Sequence, residues 1–221
     1  MSTPIVRPVE ITAGDDVLYG DLRVPPHARG LVIFAHGSGS SRFSSRNRQV
    51  AEYLGARGFA SLLLDLLTPE EERIDERTRE YRFDIERLGP RVGAAAEWAR
   101  QAPDMRALPI GCFGASTGAA AALMAAADHP ATIAAVVSRG GRPDLAGAAL
   151  PRVSAPTLLI VGGDDGEVIT LNQEAMQRMH APVELAIVPG ATHLFEEPGT
   201  LEQVEQLASE WFGRYLRSPR Q

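Results

Sequence analysis

Cysteine is nearly missing from this chain: Cys112 is the single thiol in 221 residues, so neither a disulfide framework nor a thiolate metal site can be assembled. Long apolar runs are missing as well. No stretch reaches the roughly eighteen consecutive apolar residues of a bilayer crossing, and the opening MSTPIVRPVEITAGDD lacks the basic start and apolar centre of a secretory leader. The sequence therefore reads as cytoplasmic, with no membrane partner. Clustered positive charge is a third absence. With 22 Lys and Arg against 28 Asp and Glu the formal net charge is -6, which argues against nucleic acid or an anionic membrane as partner. No internal repeat or low-complexity linker interrupts the chain. What remains is an ordinary composition, 44% hydrophobic and 23% charged, in a length that suits one domain, 1–221, able to bury its core without staples.

The most informative stretch is Leu108 to Ala126, LPIGCFGASTGAAAALMAA. Pro109 to Phe113 has the length of a buried strand, and Ala119 to Ala127 is a strong helix former. Between them lies Gly114-Ala115-Ser116-Thr117-Gly118, a G-x-S-x-G in the strand, tight turn, helix context that gives this pattern its meaning. A serine on such a turn is thrust out at the carboxyl end of the sheet. The flanking glycines are needed because strand and helix approach too closely for a Cβ. Cys112, inside the strand, reads as a buried and inert thiol.

Around this element the chain alternates strands with helices. Val9 to Thr12 and Val17 to Val24, separated by Ala13-Gly14-Asp15-Asp16, form an antiparallel hairpin. Leu31 to Ala35 is an apolar run of the kind covered on both faces, and it runs into His36-Gly37-Ser38-Gly39-Ser40-Ser41. A helix over Ser45 to Arg57 and a strand over Phe59 to Leu64 follow. Thr68 to Arg82 is the most charged part of the chain, either a solvated connector or a small flap at the rim of a site. A helix over Asp84 to Gln101, irregular at Gly89-Pro90, precedes the elbow. After it come strands Ile133 to Ser138, Pro156 to Val161 and Val183 to Val188, a helical stretch Leu171 to His180, and an amphipathic helix Leu201 to Leu216. This order predicts an α/β fold: a mostly parallel sheet with an N-terminal antiparallel hairpin and helices on both faces.

In such sheets chemistry collects at the carboxyl ends of the strands, where HGSGS, GASTG, GGDD and GATH are found. A serine hydroxyl is a poor nucleophile near neutral pH and needs a histidine base, itself held in one tautomer by a carboxylate. The chain supplies serine, acid and histidine in that order, each just after a predicted strand. Of the five histidines, His27 and His129 neighbour prolines in turns, His180 ends a helix, and His36 orders the glycine loop. His193 is left as the base. Asp165 meets the G-x-x-D-x-x-V spacing from Gly162 to Val168, with Asp164 as a turn cap and Glu167 as a weaker candidate. The backbone NH groups of Thr117, at the helix start, and of Ser38, between two glycines, are the candidate oxyanion donors.

HGSG, GASTG, GGDD-x-x-V and GATH in this order resemble the α/β-hydrolases, and within them the dienelactone-hydrolase-like group of small, nearly cap-free enzymes; the resemblance covers about residues 31 to 195. It implies the α/β-hydrolase fold with little or no cap, a small-molecule ester as partner, and ester hydrolysis without a cofactor or metal. Where dienelactone hydrolases carry cysteine in the elbow, this chain carries Ser116, which points to a serine carboxylesterase. Alternatives are an acyltransferase, an amide or thioester hydrolase using the same triad, and a non-catalytic small-molecule binding module. Arg42, Arg46 and Arg139 lie in loops expected at the carboxyl edge. They are expected either to bind a substrate carboxylate or phosphate, or to pair with the acidic 70–76 segment or cap helices.

Overall fold

A computed structural model describes residues 4–217 of the chain. Eight strands form one sheet in the order β1-β2-β4-β3-β5-β6-β7-β8. They are β1 (Ile5–Ala13), β2 (Asp16–Val24), β3 (Gly30–Ala35), β4 (Phe59–Leu64), β5 (Ile110–Ala115), β6 (Ile133–Arg139), β7 (Thr157–Gly162) and β8 (Val183–Val188). The first two pair antiparallel with each other, and β2 pairs antiparallel with β4. From β4 to β8 every pairing is parallel. The reason is visible in the sequence: β3, β4, β5 and β7 are buried at every residue, as continuous apolar runs must be when helices cover both faces.

Side-chain alternation sorts those runs into two cores. Leu31, Ile33 and Ala35 of β3 face α3 (Ile85–Gln101) and α4 (Thr117–Asp128), with Val92, Ala96 and Leu123. Val32 and Phe34 face α1 (Ser45–Gly55) and α6 (Thr200–Tyr215), with Val50, Trp211 and Phe212. Two further helices are α2 (Pro69–Thr78) and α5 (Gly166–Arg178). Among the described residues no helix is long and apolar enough to cross a membrane.

The expected architecture is found, with differences at the element ends. The hairpin is longer than its β-branched runs: the ladder reaches from Ala13↔Asp16 to Ile5↔Val24. It passes through Pro8, which is tolerated because β1 is an edge strand. The predicted irregularity at Gly89-Pro90 is absent as a break, and α3 is continuous over Ile85–Gln101. Pro90 and Glu86 are both exposed, so the helix carries its one missing NH on the solvent side. Helix α5 starts at Gly166, five residues before the predicted Leu171, so that Asp165 becomes its N-cap. Thr68 to Arg82 contains a real helix, and Thr68 with Glu71 closes a reciprocal capping box at its start. The chain between β6 and β7 holds only two short 3-10 turns, Pro143–Arg152, hinged at Gly147.

Candidate active site

Strand β5 delivers Ser116 into a turn with φ 51° and ψ -122°. L-residues avoid that combination, which costs on the order of 1–3 kcal/mol and persists only where the surroundings enforce it. Here they do. The Ser116 NH donates to the Arg139 carbonyl at 3.1 Å, and the Ser116 carbonyl accepts from the NH groups of Ala119 and Arg142, each at 3.1 Å. Strand and helix cross so tightly that a methyl at Gly114 would lie 2.4 Å from Ala119 Cα, and one at Gly118 would lie 2.2 Å from the Ala35 carbonyl oxygen. Only hydrogen fits at either place.

His193 sits in the loop after β8, half-exposed, with its Nε2 3.3 Å from Ser116 Oγ. Its Nδ1 lies 2.7 Å from Asp165 Oδ2. With Nδ1–H donating to the carboxylate, the Nε2 lone pair faces the serine hydroxyl, as a general base requires. Asp165 caps α5 by position, yet its side chain makes no cap hydrogen bond and is free for His193. The two alternative acids, Asp164 and Glu167, are exposed. The His193 loop is stapled from within: Thr192 gives its NH at 3.1 Å and its hydroxyl at 2.5 Å to the Glu197 carboxylate. These bonds hold the Glu197 pKa below the usual carboxylate range. Phe195, with φ 55°, is 2% exposed and anchors the loop in the α1/α6 core. The Thr192–Glu197 staple escaped sequence reasoning, and no pattern announces it.

On the oxyanion side, Thr117 is the first residue of α4, where an NH has no carbonyl within the helix to bond. Ser38 stands across from it, and both line a small cleft with Gly37, Leu66, Leu67, Glu72 and Arg82. His36 orders this loop as expected: Nδ1 lies 2.8 Å from the Gly37 carbonyl and Nε2 accepts the Leu66 NH at 3.0 Å. Burial lowers its pKa, against the Gly37 hydrogen bond and the charge of Asp65, so the ring is a neutral brace. Of the two readings of the 68–82 segment, the geometry is that of a flap. Glu72, Asp75 and Arg82 all reach the cleft. Its inner side is bolted down by Arg91, whose guanidinium binds Glu71 and Asp16 and the Leu66 carbonyl. Burial alone would raise the Glu71 pKa, but hydrogen bonds from Arg91, the Thr68 NH and Arg87 bring it down to about 2. Burial raises that of Glu72, helped by the charges of Asp65, Glu76 and Asp75.

The three arginines part company. Arg42 is consumed by carboxylates: its NH donates to Asp65 at 2.7 Å, its guanidinium pairs with Asp65, and its Nε lies 3.5 Å from Asp21. These partners lie outside the 70–76 segment. Arg46 reaches the exposed Glu196 at 3.0 Å. Arg139, at the end of β6, is buried. Of the remaining histidines, His129 faces Glu97 at 3.3 Å and His27 occupies a turn with φ 56°. His180 follows the end of α5. Cys112 is buried in β5, and burial pushes its thiol up to about 12.

Comparison with known proteins places this geometry. The model of the family described as "Dienelactone hydrolase family" matches residues 18–216. A Mycobacterium tuberculosis protein carrying the name "Putative phosphoribosyl transferase" is 58% identical over 211 residues, 96% of this chain but 47% of that protein. The chain thus spans about half the length of the curated relatives it matches. A crystal structure of dienelactone hydrolase from Anabaena variabilis superposes with a TM-score of 0.95 at 57% identity, covering 97% of this chain and 99% of the other. An esterase of Pyrococcus furiosus shares the fold at a TM-score of 0.80 and 21% identity, over 96% of this chain and 94% of the other.

Proposed function

Because the chain belongs to the dienelactone hydrolase family, we propose that it is a serine hydrolase that cleaves carboxylic esters of small or short-chain substrates through an acyl-enzyme. The observation that carries the reading is the continuous relay from Ser116 Oγ through His193 Nε2 at 3.3 Å to Asp165 Oδ2, which lies 2.7 Å from the other ring nitrogen.

In this reading Ser116 Oγ attacks the ester carbonyl carbon while its proton passes to His193 Nε2. The imidazolium is stabilised through Nδ1–H by Asp165, which stays ionised. The carbonyl oxygen becomes an oxyanion between the NH groups of Ser38 and Thr117, each worth about 3 kcal/mol in the transition state. Collapse of the intermediate breaks the ester C–O bond, and the leaving alkoxide takes the proton from His193. Water then repeats the sequence on the acyl-enzyme and regenerates Ser116. The small cleft between the oxyanion loop and the flap supports small acyl or alcohol groups. The phosphoribosyl transferase name stays with a protein of roughly twice this length.

The test is hydrolysis of p-nitrophenyl esters from C2 to C12 by wild type and Ser116→Ala, with fluorophosphonate labelling alongside. Turnover of short esters and labelling that both disappear in the variant are expected. Labelling that survives in Ser116→Ala, or turnover unaffected by it, overturns the assignment.

A further inference from the structure

The end of β6 and the turn after it are where the parts of the site meet. The Arg139 carbonyl accepts the Ser116 NH, and the Arg142 NH donates to the Ser116 carbonyl, each at 3.1 Å. Between them Gly140, with φ 51°, gives its NH to the Ile160 carbonyl of β7 at 2.8 Å. Gly140 also packs against the base: a methyl there would lie 2.9 Å from the His193 carbonyl oxygen and 3.6 Å from His193 Cε1. Four consecutive residues therefore hold the nucleophile from both sides and abut the histidine.

Asp165, the third member, is carried by α5, and one side chain joins that helix to the turn. Asn172 lies in the second turn of α5 and is 0% exposed. Its Nδ2 donates to the Gly141 carbonyl at 3.0 Å and to the Val168 carbonyl of its own helix at 2.8 Å. The Gly141 carbonyl and the Arg142 NH are the two ends of one planar peptide group. Asn172 therefore grips the oxygen of the same peptide whose NH holds Ser116. Packing alone does not call for an amide here. Its Oδ1 is buried without a hydrogen-bond partner, a desolvation cost that a leucine of similar size would not carry. What the amide supplies is the donor to Gly141.

We propose that Asn172 is a positioning residue for the Ser116 elbow: it fixes the plane of the Gly141–Arg142 peptide and so locks the helix bearing Asp165 to the turn that sets Ser116 and His193. The kinetic half of this assignment rests on the ester-hydrolase reading, while the geometric half does not.

The test compares Asn172→Leu, which keeps the volume and removes the donors, with Val50→Ala, a cavity in the α1/α6 core on the other face of the sheet. Both should lower the urea midpoint. In Asn172→Leu, kcat for p-nitrophenyl butyrate and the rate of fluorophosphonate labelling should each fall about tenfold or more, with KM within about twofold, because binding is kept while the relay is loosened. In Val50→Ala both rates should stay within about twofold of wild type, since its cavity lies away from the reacting groups. The His193 Cε1–H proton resonance, which reports the contact with Gly140, should move in Asn172→Leu and keep its place in Val50→Ala. Wild-type kcat in Asn172→Leu, or an equal loss in Val50→Ala, makes Asn172 an ordinary stabilising residue and overturns the proposal. So does an unmoved His193 resonance, which is read without turnover. Absence of turnover and labelling in the wild type would instead overturn the hydrolase reading and leave the resonance to decide the role of Asn172. If leucine prevents folding, Asn172→Ser takes its place, since a hydroxyl one bond shorter satisfies Val168 within the helix and does not reach Gly141.

Discussion

Replacing Ser116 by glycine should remove activity and yet leave a protein more stable than the alanine variant. The residue holds φ 51° and ψ -122°, where a Cβ costs on the order of 1–3 kcal/mol. Alanine keeps the Cβ and so keeps the strain, losing only the 3.3 Å contact with His193, which is long and contributes about 0.5 kcal/mol. Glycine releases the strain but adds unfolded-chain freedom of about 0.4–1 kcal/mol. The difference favours Ser116→Gly over Ser116→Ala by roughly 0.5–2 kcal/mol, or about 1–8 °C in Tm for a chain of this size. Urea unfolding at pH 7, with equal m-values in both variants, measures it. Both variants should lose about four orders of magnitude or more in kcat. If glycine proves less stable than alanine by more than about 0.5 kcal/mol, the backbone at Ser116 is not under the stated strain, and its hydrogen bonds to Arg139, Ala119 and Arg142 have none to enforce.

Asp165→Asn should leave the fold intact and reduce kcat by about 10³–10⁴, because the amide favours the wrong His193 tautomer; near-wild-type kcat would remove Asp165 from the relay. Glu71 has a folded pKa depressed to about 2 from 4.5. Its stabilising share is therefore complete above about pH 4.5 and is lost as the pH falls from there toward 2. Glu71→Gln should flatten that part of the urea-midpoint profile and, by leaving Arg91 with Asp16 as its one carboxylate, cost about 1.5–3 kcal/mol at pH 7; an unchanged acid profile would show that the flap anchor is not the titrating group. Cys112, with its thiol raised to about 12, should resist a thiol reagent at pH 8 in the native state and react once unfolded. Labelling of the native protein at the rate of a free thiol would contradict its burial.

Strands that are wholly apolar, and the turns that end them, were legible because a local pattern specifies each: LVIFA before HGSG, IGCF before GASTG, and the glycine pair before Asp164 and Asp165. The serine, aspartate and histidine could be named for a related reason. Each follows a strand, and a parallel sheet gathers strand ends at one edge whatever lies between. Element ends were less legible, since α5 begins at Gly166 only because β7 and the His193 loop hold the GGDD turn. Asp164 NH bonds the Ala191 carbonyl at 3.0 Å, a contact across 27 residues. The capping box of α2 was in plain view as Thr68-Pro69-Glu70-Glu71, a local motif that fixes a helix start within otherwise unpatterned charge.

Charge pairing was the least legible level, and the arginines show why. Arg42, Arg46 and Arg139 are indistinguishable in local context, each beside serine or glycine after a strand or at a helix start. What separates them is long-range. Asp65 neutralises Arg42 from 23 residues away, and Glu196 touches Arg46 from 150 residues away. Nothing negative meets Arg139 among the described residues. A sequence can list cations, but only the fold reveals which of them is left over. A left-over cation at 6% exposure, one peptide hydrogen bond from Ser116, is unfavourable in the free protein. Replacing Arg139 by methionine should therefore raise the urea midpoint, and a fall would show that the guanidinium is satisfied within the fold.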